Sequence, residues 1–182
     1  MLFRSFCLGD GETLNMSTEV IEARYPIRVE QYALNTEAGA GAGKFRGGFG
    51  IVKDYRVLSR EANFTASFGR SRFPPWGLSG GGAGTCNRVS ILSTGAPPES
   101  RGKIAARKLR QGDMVRLVTG GGGGFGPAFE RDPQDVQADV RNEFLAIDQA
   151  QQIYGVVLNR DTLQVDRQAT AVLREKQNGL RK

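Results

Sequence analysis

The chain predicts an α+β fold, with a mixed or antiparallel β-rich core, glycine-rich loops, and short helices at its C-terminal end. Three observations carry this. Before residue 119, apolar and polar residues alternate over short runs broken by glycine and proline, as in half-buried strands. Five consecutive glycines follow, Gly120 to Gly124, and beyond them the apolar residues recur at helical spacing. Strands first and helices last is the order of an α+β domain rather than of alternating βαβ units. A length of 182 residues fits one domain with a real core, and 25 glycines are about twice the usual share.

Residues 1–17 show no clean periodicity and are expected to form a loop or truncated N-terminal edge, with the domain proper at 18–182. The stretch from Thr18 to Tyr25 stops at Pro26, leaving room for a turn of helix at most. From Ile27 to Leu34, Ile27 and Val29 oppose Arg28 and Glu30, a half-buried strand. The alanine–glycine alternation of residues 37–43 predicts a flexible segment. Residues 44–50 then open a strand, Ile51 to Leu58, rich in β-branched and aromatic residues. A turn at 59–63 leads to a strand from Phe64 to Phe68. Residues 70–77 hold two prolines and the only tryptophan, Trp76, between glycine turns. They predict a rigid loop with an aromatic anchor, either packed or in contact with a ligand or partner. Cys86 to Leu92 reads as a strand and Thr94 to Ser100 as a loop.

Gly112-Asp113 is a turn, and Met114 to Val118 a short buried strand ending at Thr119. The glycine run makes sense only where the backbone turns at positive φ or where something comes close to the main chain. If Gly122 or Gly123 holds positive φ, valine there is expected to destabilise the fold. A strand, glycine loop and helix in succession can present N–H groups to an anion. However, the helix begins too late for the dinucleotide pattern that Gly121, Gly123 and Gly126 formally match, and structural packing is the better expectation. Asp132-Pro133 marks that helix start, running to Arg141. A second helix from Ile147 to Tyr154 is stopped by Gly155. Val156 to Leu158 reads as a strand, 159–162 as a turn, and Asp166 as the cap of a last helix reaching about Lys176.

The absence of histidine excludes Ser-His-Asp and Cys-His catalytic units and any histidine metal ligand from the chain. Two cysteines, Cys7 and Cys86, are too few for a disulfide scaffold or a cysteine zinc site. Gly43-Lys44 is followed by Phe45 where a P-loop needs serine or threonine. No apolar stretch is long enough to span a membrane, so a cytoplasmic chain is expected. The net charge of +6 raises nucleic-acid binding as an alternative. Its one dense cluster (Arg101, Lys103, Arg107, Lys108, Arg110) lacks interleaved aromatics and fits a solvated face better.

Laid out in order, several blocks resemble the C-terminal part of the hydantoinase B/5-oxoprolinase family. They are Thr18 to Glu30, Gly43-Lys-Phe-Arg-Gly-Gly-Phe-Gly50, Arg72-Phe-Pro-Pro-Trp-Gly-Leu78, Gly112-Asp113, Gly121-Gly-Gly-Gly-Phe-Gly126, Glu130-Arg-Asp-Pro133, Asp139-Val140 and Tyr154-Gly-Val-Val-Leu158. The resemblance implies a domain or split subunit of an ATP-dependent cyclic-amide hydrolase, working with a hydantoinase A-type ATP-binding subunit and the N-terminal part of a B-type subunit. Related ketone carboxylases are the alternative. ATP and a divalent metal are implied for the complete complex, with none held by this chain alone. The positions expected to shape a substrate site or interface are Arg46, Gly47, Gly48, Arg70, Arg72, Trp76 and Gly121, Gly122, Gly123, Gly124. No catalytic residue or metal ligand is assigned. The surface facing the rest of the assembly is expected at Phe3, Phe6, Leu8, Phe73, Trp76 and the main chain of the glycine loops, with self-association or hetero-oligomer formation following from it.

Three departures from the family pattern stand out. Gly69 replaces an acidic residue, Gly126-Pro127-Ala128 replaces Gly-Asp-Pro, and an alanine–glycine repeat replaces an acidic stretch before Lys44. Each removes a carboxylate from a loop and with it any metal or proton-transfer role there.

Overall fold

The alternating patterns resolve into nine strands in a computed structural model, which describes residues 4–7, 11–14 and 16–179. Two short strands, β1 (Arg4–Cys7) and β2 (Gly11–Leu14), pair antiparallel, so a hairpin stands where the sequence predicts loop. Four residues per strand are too few for alternation to register. Helix α1 (Thr18–Arg24) is longer than the single turn expected. Ser17 caps it by accepting from the Val20 N–H, and Glu19 and Arg24 sit at the ends that suit the helix dipole.

The main sheet contains β3 (Ile27–Asn35), β4 (Gly50–Val57), β6 (Arg88–Leu92), β7 (Glu99–Arg101) and β9 (Met114–Val118), in the order β3-β4-β9-β6-β7. Every neighbouring pair is antiparallel. Strand β7 begins within the stretch 94–100 predicted as loop and runs one residue beyond it. In β4 and β9, Asp54 and Arg116 face each other in register and form a forked pair at 2.9 and 2.7 Å. The hydrogen bond to Asp54 pushes the Arg116 pKa up.

A separate two-stranded antiparallel ribbon of β5 (Glu61–Ser67) and β8 (Lys103–Arg110) covers the sheet. Strand β8 escapes sequence reading for a physical reason. Its two buried residues, Ile104 and Leu109, are five apart, which in a regular strand puts them on opposite faces. The register shifts between Phe64 and Ala66, so two β8 residues oppose one β5 residue, and Ala106 sits at φ 48°. That bulge restores both side chains to the inner face. There they join Val57, Val89, Ile91 and Val115 of the sheet in one buried cluster. Lys103, Arg107, Lys108 and Arg110 remain exposed, as the basic face predicts.

The C-terminal helices build a second core. They are α2 (Pro133–Arg141), α3 (Ile147–Tyr154) and α4 (Arg167–Gly179). Asp132 caps α2 by accepting from the Gln134 N–H at 2.8 Å, and Asp166 accepts from the Ala169 N–H at 2.9 Å. Gly155 ends α3 at φ 63°, the left-handed conformation that favours glycine. The strand expected at Val156 to Leu158 reduces to one bridge, Leu158 to Val165. Its side chains instead pack with Val136, Val140, Ala150 and Tyr154.

Candidate functional site

Between the two cores, three glycine-rich stretches lie side by side: residues 39–48, 75–85 and 119–126. The central run shows a repeat of three. An added Cβ at Gly121 or Gly124 would lie closer than 3.0 Å to main-chain atoms of Gly39 or Ala42 respectively. At Gly120 and Gly123 it would collide with the carbonyls of Thr85 and Trp76. At Gly122 the nearest atom is 3.4 Å away, on Gly48, an ordinary contact. Three residues later Phe125 carries a side chain on that same third face. Extended backbone repeating every three residues is the habit of polyproline II-type chains, which pack closely only where glycine faces a neighbour.

The stretch 75–85 follows the same rule from the other side. Gly81 and Gly84 press on the carbonyls of Gly124 and Gly121. The residues 37–43, predicted to be flexible, are part of this bundle, and Gly41 and Gly43 are buried. Neither Gly122 nor Gly123 has positive φ; Gly126, at 72°, makes the turn that closes the run. Close approach, not turning, is what requires the glycines.

Six of the seven N–H groups from Gly120 to Gly126 are already engaged. Gly120 donates to Asn87 Oδ1 and Gly121 to Thr85 Oγ1, each at 2.7 Å. Gly122 donates to Gly48 O, Gly124 to Gly82 O, Phe125 to Phe45 O and Gly126 to Leu78 O. An anion would have to displace these bonds, so the run is a rigid scaffold rather than a phosphate cradle. The main chain of the glycine loops, expected as an open surface, is thus largely closed within the chain, with Gly121 and Gly124 buried.

The predicted residues separate into two groups. Gly47, Gly48 and Gly121 to Gly124 meet in the bundle. Arg46 turns away from it towards α2. Its guanidinium makes a fork with Asp139 (Nε–Oδ2 3.0 Å, Nη2–Oδ1 3.3 Å) and stacks 4.1 Å from the Phe49 ring. Arg131 donates to the same carboxylate at 3.0 Å, so two guanidiniums share one buried Asp139. Arg174 extends the cluster by donating to the carbonyls of Tyr154 and Arg131. Burial pushes the Tyr154 hydroxyl pKa up and that of Arg174 down. Arg46, Arg131, Asp139 and Tyr154 each stand in one of the family-like blocks, but nothing in the sequence brings them together, because Arg46 and Asp139 are 93 residues apart.

Arg70, Arg72 and Trp76 lie at the surface. Arg70 has φ 48° and places its guanidinium 5.3 Å from the Trp76 ring. Trp76 and Phe73 are 68% and 80% exposed, so the expected aromatic anchor is not packed within this chain. Phe45, Leu78 and Phe125 are exposed beside them, joined by main-chain bridges from Phe125 to both others. Of the N-terminal residues expected on this surface, Phe3 and Leu8 lie outside the described residues, as does the side chain of Phe6.

Catalytic chemistry is sparse. A groove of about 420 Å³ between α1, the main sheet and the β5–β8 ribbon is apolar apart from Asn63 and the tyrosines Tyr25 and Tyr55. Of the charged groups lining the polar cavity beside α2 and α4, Asp132 caps α2 and Arg174 donates to two carbonyls, while Arg167 stands with them as a lone cation with no carboxylate among the described lining residues free to work with it. Among the described residues no cluster of three His, Cys, Asp or Glu is placed to hold a metal ion. Six of the seven amides from Gly120 to Gly126 are engaged as well, so this run does not fit a nucleotide's phosphates. No described helix is long and apolar enough to cross a membrane.

Known proteins carry the same arrangement. The family described as Hydantoinase B/oxoprolinase matches residues 4–128, beginning ahead of the blocks that first suggest it. An uncharacterised protein of Methanocaldococcus jannaschii is 37% identical, over 88% of this chain and 28% of its own length. The B-type subunit of a putative D-/L-hydantoinase from a Pseudomonas species is 32% identical over 90% of this chain and 27% of its own. The crystal structure of the ATP-dependent caprolactamase from Pseudomonas jessenii superposes with a TM-score of 0.73 at 29% identity, covering 89% of this chain and 28% of that one. Nucleotide-free acetone carboxylase shares the fold alone, at TM-score 0.72 and 21% identity over 91% of this chain and 26% of that one. The chain thus spans little more than a quarter of the length of these relatives. With the family pattern running through both the sheet and the glycine bundle, the chain belongs to the hydantoinase B/oxoprolinase family.

Proposed function

We propose that this chain is the C-terminal domain, or a split subunit, of a B-type component in an ATP-dependent enzyme that opens cyclic amides. Its own work is to hold the assembly and shape the site rather than to perform the chemistry. One observation carries this: likeness at 32–33% identity to the B-type subunit of a putative hydantoinase and to the beta subunit of a caprolactamase, in a chain with no three-residue metal-ligand cluster among its described residues. A hydantoinase A-type subunit supplies ATP binding, and the remainder of a B-type subunit supplies the metal and the reacting groups. We place that assembly in the cytoplasm, where ATP is at hand. The carboxylase alternative has only a shared fold behind it.

The purified chain is expected to show no ATP-dependent opening of hydantoin, 5-oxoproline or caprolactam, followed by ADP release together with ring-opened product. The same assay is expected to show turnover once an A-type subunit and the rest of a B-type subunit are added. Turnover by this chain alone, rising with its concentration, overturns the assignment.

A further inference from the structure

We infer that the exposed aromatic row on the glycine bundle is a docking surface for the remainder of a B-type subunit, the part of the relatives that lies outside the match. The inference rests on the proposed assembly role and names the surface through which it acts. Phe45, Phe73, Trp76, Leu78 and Phe125 are between 49% and 80% exposed. Phe45 and Phe125 have ring centroids 6.3 Å apart, Leu78 bridges Phe125 from the other side, and Trp76 lies two residues before Leu78. Contiguous apolar surface of this kind marks an interaction site.

The row is exposed because of how the bundle is built. Phe125 occupies the third face of the three-residue repeat, the face that no crowding backbone covers at Gly122. Its base is rigid: Phe45 and Phe125 exchange N–H to carbonyl bonds at 3.0 and 2.9 Å, and Leu78 bonds Gly124 O and accepts from Gly126. Little main-chain ordering is therefore lost on binding. Phenylalanine, tryptophan and arginine are the residues enriched where interfaces bury most.

Charge and length choose the occupant. Arg70 and Arg72 border the aromatics, and the chain carries a net +6. The complementary surface is apolar at its centre and acidic at its rim. A second copy would bring another set of arginines to the same rim. The relatives match over only 27–28% of their length, so most of each subunit is available to supply that surface.

Co-expression tests this, using the Pseudomonas B-type hydantoinase subunit with its matched region deleted and the present chain tagged and labelled with 5-fluorotryptophan. Trp76 is the only tryptophan, so the labelled chain gives one fluorine resonance from within the row. The fragment is expected to co-purify with the wild-type chain and with Val172→Ser, an exposed apolar site on α4, and to shift the Trp76 resonance. Phe73→Ser with Leu78→Ser is expected to weaken retention at least about tenfold, while melting stays unchanged because both side chains are already exposed.

Equal retention by the double variant, no retention by the wild type, or an unshifted resonance overturns the inference. So does a resonance that shifts with the concentration of this chain alone, which makes the occupant a second copy. If the fragment docks but the assembly with an A-type subunit opens no cyclic amide, the docking surface stands and the enzymatic role falls. Reconstituted hydrolysis that is indifferent to the double variant has the opposite meaning.

Discussion

Gly123→Ala is expected to lower the melting temperature by roughly 6–12 °C, while Gly122→Ala, one position earlier, changes it by no more than about 2 °C. At position 123 the new methyl lands on the Trp76 carbonyl, with the Trp76 carbonyl carbon and the Gly77 nitrogen directly behind. All three are main-chain atoms, so no side chain can rotate aside. The 75–85 stretch is held by Leu78 N to Gly124 O on one side and Gly82 N to Ala42 O on the other, and moving it breaks bonds on both sides. Overpacking in a well-packed core costs typically 1–3 kcal/mol, and a rigid backbone neighbour puts this case at about 3 kcal/mol or more. For a domain of this size each kcal/mol is worth roughly 2–4 °C. At position 122 the methyl meets nothing nearer than 3.4 Å, and φ is not positive. The lost chain entropy of glycine in the unfolded state even favours alanine slightly. Thermal melts of the two variants decide the matter: equal shifts would mean that the run tolerates side chains indiscriminately, and the three-residue repeat would be wrong.

That contrast also shows what the sequence can carry. Local signals were enough for the C-terminal half: Asp132-Pro133, Gly155 and Asp166 fix helix ends through bonds to residues two to four positions away, and the helices lie where those signals place them. Strand β3 follows its alternation, and β4 and β9 their β-branched and apolar runs, for the same reason. Elements without a local signature were lost. The bulge at Ala106 breaks the alternation of β8, and the β1–β2 strands are too short to display one. The glycine run was legible as needing an explanation, but not which one. Five identical residues contain no phase, and the phase is set by neighbours at residues 39–48 and 75–85.

The candidate positions divide along the same line. Gly47, Gly48 and Gly121 to Gly124 were marked by the family-like blocks and do meet. Arg46 was marked by its glycine neighbours, yet its partner Asp139 is fixed only by tertiary packing. Trp76 was expected to be an anchor, and its environment within this chain is open. Exposure is a property of the whole surface, which no window of sequence contains. Phe45, Leu78 and Phe125 come from three separate stretches and become neighbours only when the bundle forms.

Asp139→Ala is expected to destabilise the fold by about 3–5 kcal/mol, and Arg46→Ala by distinctly less, about 1–2 kcal/mol. The asymmetry follows from the stoichiometry of the cluster. One carboxylate, 9% exposed, serves two guanidiniums whose side chains are 20% and 10% exposed. Removing Arg46 leaves the Arg131–Asp139 pair intact and forfeits one fork and the stack on Phe49. Removing Asp139 leaves two cations facing each other with no counter-charge, and Arg131 already has a buried Nε without a partner. Breaking a buried pair from the side that strands the other charges is the expensive direction. The consequence reaches beyond α2, because Arg46 precedes Gly47 and Gly48, and Gly47 donates to Gly41 within the bundle. Loosening Arg46 therefore loosens the frame that carries Phe45 and its neighbours. Urea unfolding of both single variants and of the double variant measures this, and the double variant is expected to be more stable than Asp139→Ala alone, since it removes one of the stranded cations. If Arg46→Ala costs as much as Asp139→Ala, or if the double variant is the least stable of the three, the shared carboxylate is not what ties the glycine bundle to the helices.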